Sequence, residues 1–225
     1  MTIQPPAVVA AFDLDGTLTE GGSVFPWLCH LCGRATTYRA AVRLIVPLSI
    51  GAIRSGYRAD AAKERLFQRL LAGRELTEVT TSSREFILEH LQHEAKQPVL
   101  DRLAWHQRQG HEVVIVSASP QIYVDVITEV LGADGGLGTR LAVDPLGRLT
   151  GGYLGKNCRG SEKMRRLDEW IAARDFPEPP EIYAYGNSRG DRRMLNGAAH
   201  PFNAGKLGPF GALRKYPRVP ADGAQ

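Results

Sequence analysis

Five consecutive apolar positions, residues 8–12 (Val-Val-Ala-Ala-Phe), run without polar interruption into Asp13-Leu14-Asp15-Gly16-Thr17. A short continuous apolar run that stops at a glycine turn predicts a strand buried on both faces, as in a parallel sheet. From about residue 24 to residue 94 strand signals give way to helical periodicity. Helices are predicted over 59–71 and 75–91, with a break at Gly73. Strand and helix then alternate: a helix over 99–109 stopped by Gly110, a strand over 112–116, and a helix over 120–131 closed by Gly132. A hairpin over 139–143 and 149–154 turns at Asp144-Pro145-Leu146-Gly147. Another helix (162–173), a strand (181–185) and a short helix (191–198) follow, then a Gly/Pro-rich basic tail from Asn203 whose end is expected to be disordered.

This alternation predicts an α/β fold with a doubly wound, Rossmann-like parallel sheet. In such sheets the site lies beyond the carboxyl ends of the strands. The helical block after the first strand then reads as an inserted helical cap, residues 21–94, over a core made of 1–20 and 95–225.

With 225 residues the chain is long enough for such a core. A net charge of +4 is only mildly basic and its charges are scattered, so a solvated surface explains it. No basic stripe or interleaved aromatics mark a nucleic-acid binder. Three cysteines, Cys29, Cys32 and Cys158, cannot all pair in one chain, so a reducing cytoplasm is the expected location. Residues 1–6 show no basic region followed by an apolar core, and no signal peptide is expected. The most lipid-like segment, 40–53, is too short to span a bilayer and is broken by Arg43, Pro47 and Gly51. Its apolar residues 44–50 are compatible with peripheral contact with an anionic membrane, or with a substrate carrying a greasy leaving group.

Candidate chemistry starts at the end of the first strand. Residues two apart on an extended chain share a side, so Asp13 and Asp15 can face one small volume. Two carboxylates that close repel unless a cation or proton lies between them. Oxygen ligands of this kind suit Mg²⁺ together with substrate phosphate oxygens. Three further polar points fall where the sheet places a site: Ser117 at the end of the second strand, Lys163 at the start of a helix, and Gly186-Asn187-Ser188-Arg189-Gly190-Asp191 after a later strand.

These four elements, in this order, resemble the haloacid dehalogenase superfamily along nearly the whole chain. The position of the helical insert resembles subfamily IB, the phosphoserine phosphatase-like branch. Ser117-Ala118-Ser119-Pro120 and Gly160-Ser161-Glu162-Lys163 also look like the phosphatidylglycerophosphatase-like members of that branch. The resemblance implies a phosphatase acting on a small phosphorylated substrate. Asp13 then attacks phosphorus and forms an aspartyl-phosphate, and Asp15 is the general acid and base. It implies phosphate binding by Gly16, Thr17, Ser117, Ala118 and Lys163. It also implies Mg²⁺ held by Asp13, the Asp15 carbonyl, Asn187 and Asp191.

Two departures from the family pattern stand out. Relatives carry aspartate where this chain has the neutral Asn187, which implies weaker metal binding. The early cap position that holds a substrate ammonium in phosphoserine phosphatases falls on Gly22, with Glu20 nearby, so phosphoserine specificity is not implied. Two other readings follow: a lipid-linked phosphatase at the membrane surface, and a catalytically weakened regulatory module. Cys29 and Cys32 resemble half a zinc site, but no second pair exists, and packing on a cap helix is the expectation. Surface or structural roles are the expectation for His106, His111, His200, Arg165 and Arg166. Arg214, Lys215 and Arg218 could supply only weak attraction to anionic lipid.

Overall fold

The computed structural model describes residues 6–45, 56–205 and 213–220. The strands are β1 (Val8–Phe12), β2 (Glu112–Pro120), β3 (Gly135–Thr139), β4 (Leu141–Val143), β5 (Leu149–Tyr153), β6 (Glu181–Gly186) and β7 (His200–Asn203). The helices are α1 (Val24–Cys32), α2 (Arg34–Ile45), α3 (Gly56–Leu71), α4 (Leu76–Glu94), α5 (Gln97–Arg108), α6 (Gln121–Val130), α7 (Ser161–Ala172) and α8 (Arg192–Gly197). A 3-10 turn over Arg189–Asp191 precedes α8.

The main sheet is parallel, in the order β3-β2-β1-β6-β7. β1 is central and hydrogen-bonded on both sides, which is why its apolar run needs no polar face. Ala10, Phe12, Val113, Ile115 and Tyr185 join one core with α1, α3, α4, α5 and α6. Val9, Ala11, Val114, Val116 and Ala184 join another with Leu167, Met194 and Leu195 from α7 and α8. The period-two alternation of each strand therefore feeds two helical layers. The chain winds outward from β1 through β2 to β3, then crosses back to β6 and β7. That reversal puts a crevice between the carboxyl ends of β1 and β6.

The predicted α/β class, the central strand and the helices from α3 to α8 match the structure to within a few residues at each end. Two strands differ. The sequence pattern assigns no element to β3 and starts the hairpin strand at Thr139; instead Thr139 closes β3, paired with Pro120, and the hairpin begins at Leu141. Three glycines in five residues give β3 no apolar alternation to read. They are there for packing, since a Cβ on Gly136 would lie 2.3 Å from Thr128 Oγ1, and one on Gly138 2.7 Å from the Gln121 Cα. The other difference is β7, a four-residue edge strand with Pro201 in it, too short and too polar to signal.

The helices between β1 and α5 share their apolar interior with the sheet. Trp27 of α1 is fully buried, donates from Nε1 to Ser83 Oγ at 2.8 Å, and meets Phe67 and Tyr123 edge-on. Cys32 lies against the Leu70 carbonyl and the Arg74 guanidinium, the packing role expected of it. Apolar residues 46–50, on which the membrane reading of segment 40–53 largely rests, fall outside the described residues. No helix among the described residues is long and apolar enough to cross a membrane.

Candidate active site

Asp13 follows the last residue of β1, and its backbone N–H donates to the Tyr185 carbonyl of β6 at 2.9 Å. Both of its side-chain oxygens are engaged. Oδ2 accepts from Thr17 Oγ1 at 2.7 Å, and Oδ1 accepts from Lys163 Nζ at 2.5 Å. The same ammonium donates to Asp191 Oδ1 at 2.7 Å. Asp13, Lys163 and Asp191 are all buried. Residues 13, 163 and 191 therefore converge in the crevice, delivered by a strand end, the first turn of α7 and the turn after β6. Asp191 is held in turn by the N–H of Asn187 at 3.2 Å and by the N–H and hydroxyl of Ser188, each at 2.9 Å.

The charge balance of this group is uneven. Burial raises the Asp13 pKa from 3.8 to about 7, helped by the negative charge of Asp191 and opposed by Lys163 and Thr17. Burial also pushes Asp191 upward, but the Lys163 charge and hydrogen bonds from Lys163 and Ser188 hold it below the usual carboxylate value. Burial pulls Lys163 downward, and the two carboxylates more than reverse that, keeping it protonated. Two carboxylates thus face one ammonium, and fully ionised they carry an excess negative charge in a place water does not reach.

Asp15 sits on the next turn of chain. Its Oδ1 accepts from the Ser23 N–H at 2.6 Å and its Oδ2 from Ser119 Oγ at 2.5 Å. Ser23 Oγ lies 2.9 Å from the hydroxyl of the fully buried Tyr123, completing a polar belt behind Asp15. Ser117 is buried at the end of β2, where its Oγ accepts from the Ser119 N–H at 3.0 Å. The Ala118 carbonyl accepts from Lys63 Nζ of α3 at 2.6 Å. Burial draws the Lys63 pKa down to about 8, against the carboxylates of Asp15 and Asp60.

Asn187 packs directly on the Gly16 turn. Gly16 has φ of +80°, and a Cβ there would lie 1.9 Å from Asn187 Nδ2. Gly16→Ala adds left-handed strain of about 1–2 kcal/mol and drives Asn187 out of place. A melting temperature several degrees lower, measured by thermal unfolding, is the expected outcome; an unchanged value counts against this packing.

The motif residues Asp13, Asp15, Gly16, Thr17, Ser117, Ala118, Lys163, Asn187 and Asp191 thus lie along the carboxyl edge of the sheet. Ser23, Ser119 and Lys63 complete the surroundings; Ser119 lies in the quoted Ser117-Ala118-Ser119-Pro120 motif without a role assigned to it, and Ser23 and Lys63 lie outside every motif. Ser119 had a signal: it lies two residues after Ser117 on extended chain and so shares its side. Ser23 and Lys63 sit in or beside helices whose docking no local pattern reveals. Arg165 and Arg166 turn away from the crevice to Glu162, and Arg166 also bonds the Lys156 carbonyl at 2.7 Å. His106 is buried under the sheet, with Nε2 2.8 Å from Tyr185 OH and Nδ1 2.7 Å from His111 Nδ1. Burial, then the Arg102 charge, lowers its pKa to about 3, so it is neutral and structural. Among the described residues no three His, Cys, Asp or Glu side chains gather as a metal cluster.

Known proteins share both this order of elements and this shape. The model of the haloacid dehalogenase-like hydrolases matches residues 10–196. Protein CicA of Caulobacter vibrioides is 34% identical over 196 residues, which are 84% of this chain and 82% of that one. Histidinol-phosphatase of Neisseria meningitidis is 24% identical over 195 residues, 86% and 88% of the two chains. The crystal structure of a protein of unknown function from Bordetella pertussis Tohama I superposes with a TM-score of 0.80 at 22% identity, covering 96% of this chain and 99% of that one. With its family model spanning most of its length and the motif residues gathered at one crevice, the chain belongs to the haloacid dehalogenase-like hydrolases.

Proposed function

We propose that this hydrolase is a Mg²⁺-dependent phosphomonoester phosphatase that works through an aspartyl-phosphate on Asp13. The observation that carries the reading is the bridge from Lys163 to both Asp13 and Asp191, three residues far apart in sequence and buried together. A buried carboxylate pair with one ammonium is a poor structural element, since desolvation outweighs much of the attraction. It is a good phosphoryl-transfer site, which needs a positioned nucleophile and concentrated positive charge.

In the first step an Asp13 oxygen attacks phosphorus and the bond to the leaving oxygen breaks, with Asp15 supplying the proton that makes it an alcohol. In the second step Asp15 takes a proton from water, the resulting hydroxide attacks phosphorus, and the Asp13–phosphorus bond breaks to release phosphate. The Ser23 N–H and Ser119 hydroxyl fix the orientation of the Asp15 carboxyl. Ser117 and Lys163 hold phosphoryl oxygens, and Gly16, Thr17 and Ala118 shape the cradle. The donor set fits Mg²⁺: the carboxylates of Asp13 and Asp191, the Asp15 carbonyl and the Asn187 amide oxygen are hard oxygen ligands, and the group carries an uncompensated negative charge. Mg²⁺, when bound there, supplies charge that offsets the phosphoryl oxygens. Asn187 lowers the ligand charge, so the metal is held more weakly than by an all-aspartate set. Residues 21–94 act as a cap that excludes water during the first transfer.

Release of p-nitrophenol from p-nitrophenyl phosphate is the direct test. Turnover that requires Mg²⁺ and stops with EDTA is expected, and a panel of phospho-amino acids, sugar phosphates, nucleotides and phospholipids then ranks substrates. No turnover of any phosphomonoester at millimolar Mg²⁺ rules the reading out.

A further inference from the structure

Helix α3 meets the sheet end through two polar side chains one turn apart. Lys63 donates to the carbonyl of Ala118 at 2.6 Å, between Ser117 and Ser119. Asp60 Oδ1 accepts from Asn157 Nδ2 at 2.8 Å, with Arg159 also 3.4 Å away. Thr139 closes the circuit inside the core: its hydroxyl lies 2.6 Å from the Ala118 carbonyl and 2.7 Å from Asn157 Oδ1, and it accepts from the Cys158 N–H at 3.1 Å. The path from Lys63 through Ala118, Thr139 and Asn157 back to Asp60 is a ring of close polar contacts in which the single Thr139 hydroxyl proton is shared between two acceptors, the Ala118 carbonyl and Asn157 Oδ1. It joins one helix to the end of β2 that carries Ser117 and to the loop that leads into Lys163. Glu64 on the same helix accepts from the Tyr153 N–H at 2.8 Å, fastening the β4–β5 hairpin alongside.

The Ala118 carbonyl and the Ser119 N–H belong to a single rigid peptide plane. Lys63 grips one edge of that plane, and Ser117 Oγ receives the hydrogen bond from the other edge at 3.0 Å. The Ser119 hydroxyl, on the next residue, contacts Asp15 at 2.5 Å. A rotation of this one peptide therefore displaces Ser117 and Ser119 together, and with them the phosphate cradle and the orientation of Asp15.

We propose that Lys63 and Asp60 are positioning residues that set the Ser117–Ser119 end of β2 for phosphoryl transfer when α3 is seated on the core. The proposal rests on the phosphatase reading above and adds to it a coupling between the helical cap and the alignment of the site. Neither side chain touches the reacting atoms. Their effect runs through the peptide plane and the loop before α7.

Steady-state kinetics with p-nitrophenyl phosphate and Mg²⁺ on Lys63→Met, Lys63→Arg and Asp60→Asn test this. Loss of a charged donor, with sub-ångström misplacement of the Ser117–Ser119 strand end, is expected to lower kcat for Lys63→Met about 10- to 100-fold. KM should stay within about threefold and the melting temperature within a few degrees, because binding and packing are little changed. Lys63→Arg should restore most of kcat. Asp60→Asn should lower kcat less, and the double variant Asp60→Asn/Lys63→Met should lose less than the product of the two, since both act on one ring. The proposal is overturned if Lys63→Met keeps kcat within twofold, if its loss lies in KM alone, or if arginine restores nothing. Should Lys63→Met fail to fold, an unchanged kcat in folded Asp60→Asn overturns it equally. Asp13→Asn separates the two readings: wild-type turnover abolished by Asp13→Asn but untouched by Lys63→Met sinks only the positioning role, whereas no wild-type turnover sinks both.

Discussion

Asp13→Asn is expected to lower phosphatase turnover by at least about 10³-fold while leaving the fold as stable as before, or more stable. With the proposed nucleophile removed, the water reaction is helped only by the remaining positive charge and positioning, and such losses in other hydrolases are of this order or larger. The stability half follows from the site's charge. Asp13 has a pKa raised from 3.8 to about 7 by burial, then by Asp191. A raised pKa means that the folded state holds its proton more tightly than the unfolded chain. The stability linked to that proton is present below about pH 4 and is lost as the pH climbs to about 7. At pH 8 without metal, the ionised Asp13 therefore costs the fold on the order of a few kcal/mol, which asparagine avoids while keeping the shape. The difference in melting temperature between Asp13→Asn and wild type, both in EDTA, should grow in favour of the variant between pH 5 and pH 8. Thermal scans at four pH values check this. A variant that melts lower than wild type at pH 8, or that retains a tenth of its turnover, contradicts the assignment. Added Mg²⁺ should narrow the gap by stabilising only the protein that keeps its carboxylate.

How much of this could be read from the chain depends on how local each cause is. The β1 run and the Asp13–Thr17 turn are legible because burial on both faces demands an uninterrupted apolar strand, and the chemistry is attached to its end. Ser117, Lys163 and the Asn187–Asp191 turn are legible for the same reason, each being polar punctuation at an element boundary. β3 was not legible, because its glycines answer to the close approach of Thr128 and Gln121 rather than to any period of its own. The partners of Asp15 were only partly legible. Ser119 follows from strand geometry, but Ser23 depends on where α1 docks, and docking is set by Trp27, Phe67 and Tyr123 packing across about a hundred residues of sequence. Lys63 is hidden for the same reason. On an amphipathic helix a lysine reads as a solvated residue, and only the seated helix shows it reaching Ala118. The roles of Arg165 and Arg166 were also decided at a distance of one helical turn, where Glu162 takes both guanidinium groups.

Lys163→Met should be the most destabilising single change in the site, and the reason also makes it partly reversible. Methionine keeps the length and apolar stem of lysine but removes the one cation between Asp13 and Asp191, at 2.5 and 2.7 Å respectively. Breaking a buried ion pair by deleting one partner leaves uncompensated charge and costs about 3–5 kcal/mol, here with two carboxylates left facing each other. Chemical denaturation at pH 8 in EDTA should show a loss of that size, together with turnover too low to measure. Asp191 keeps its hydrogen bonds from Asn187 and Ser188, so its own ionised form retains support. Asp13 keeps only the Thr17 hydroxyl, and it is the carboxylate that should take up a proton or force the site open. Adding Asp13→Asn to Lys163→Met should therefore recover a large part of the lost stability and none of the activity. The two changes are then strongly non-additive in stability, as expected for groups in direct contact. Additive losses in the double variant would mean that Lys163 and Asp13 do not compensate each other in the folded protein, and the buried three-residue charge group at the base of the reading would have to be abandoned.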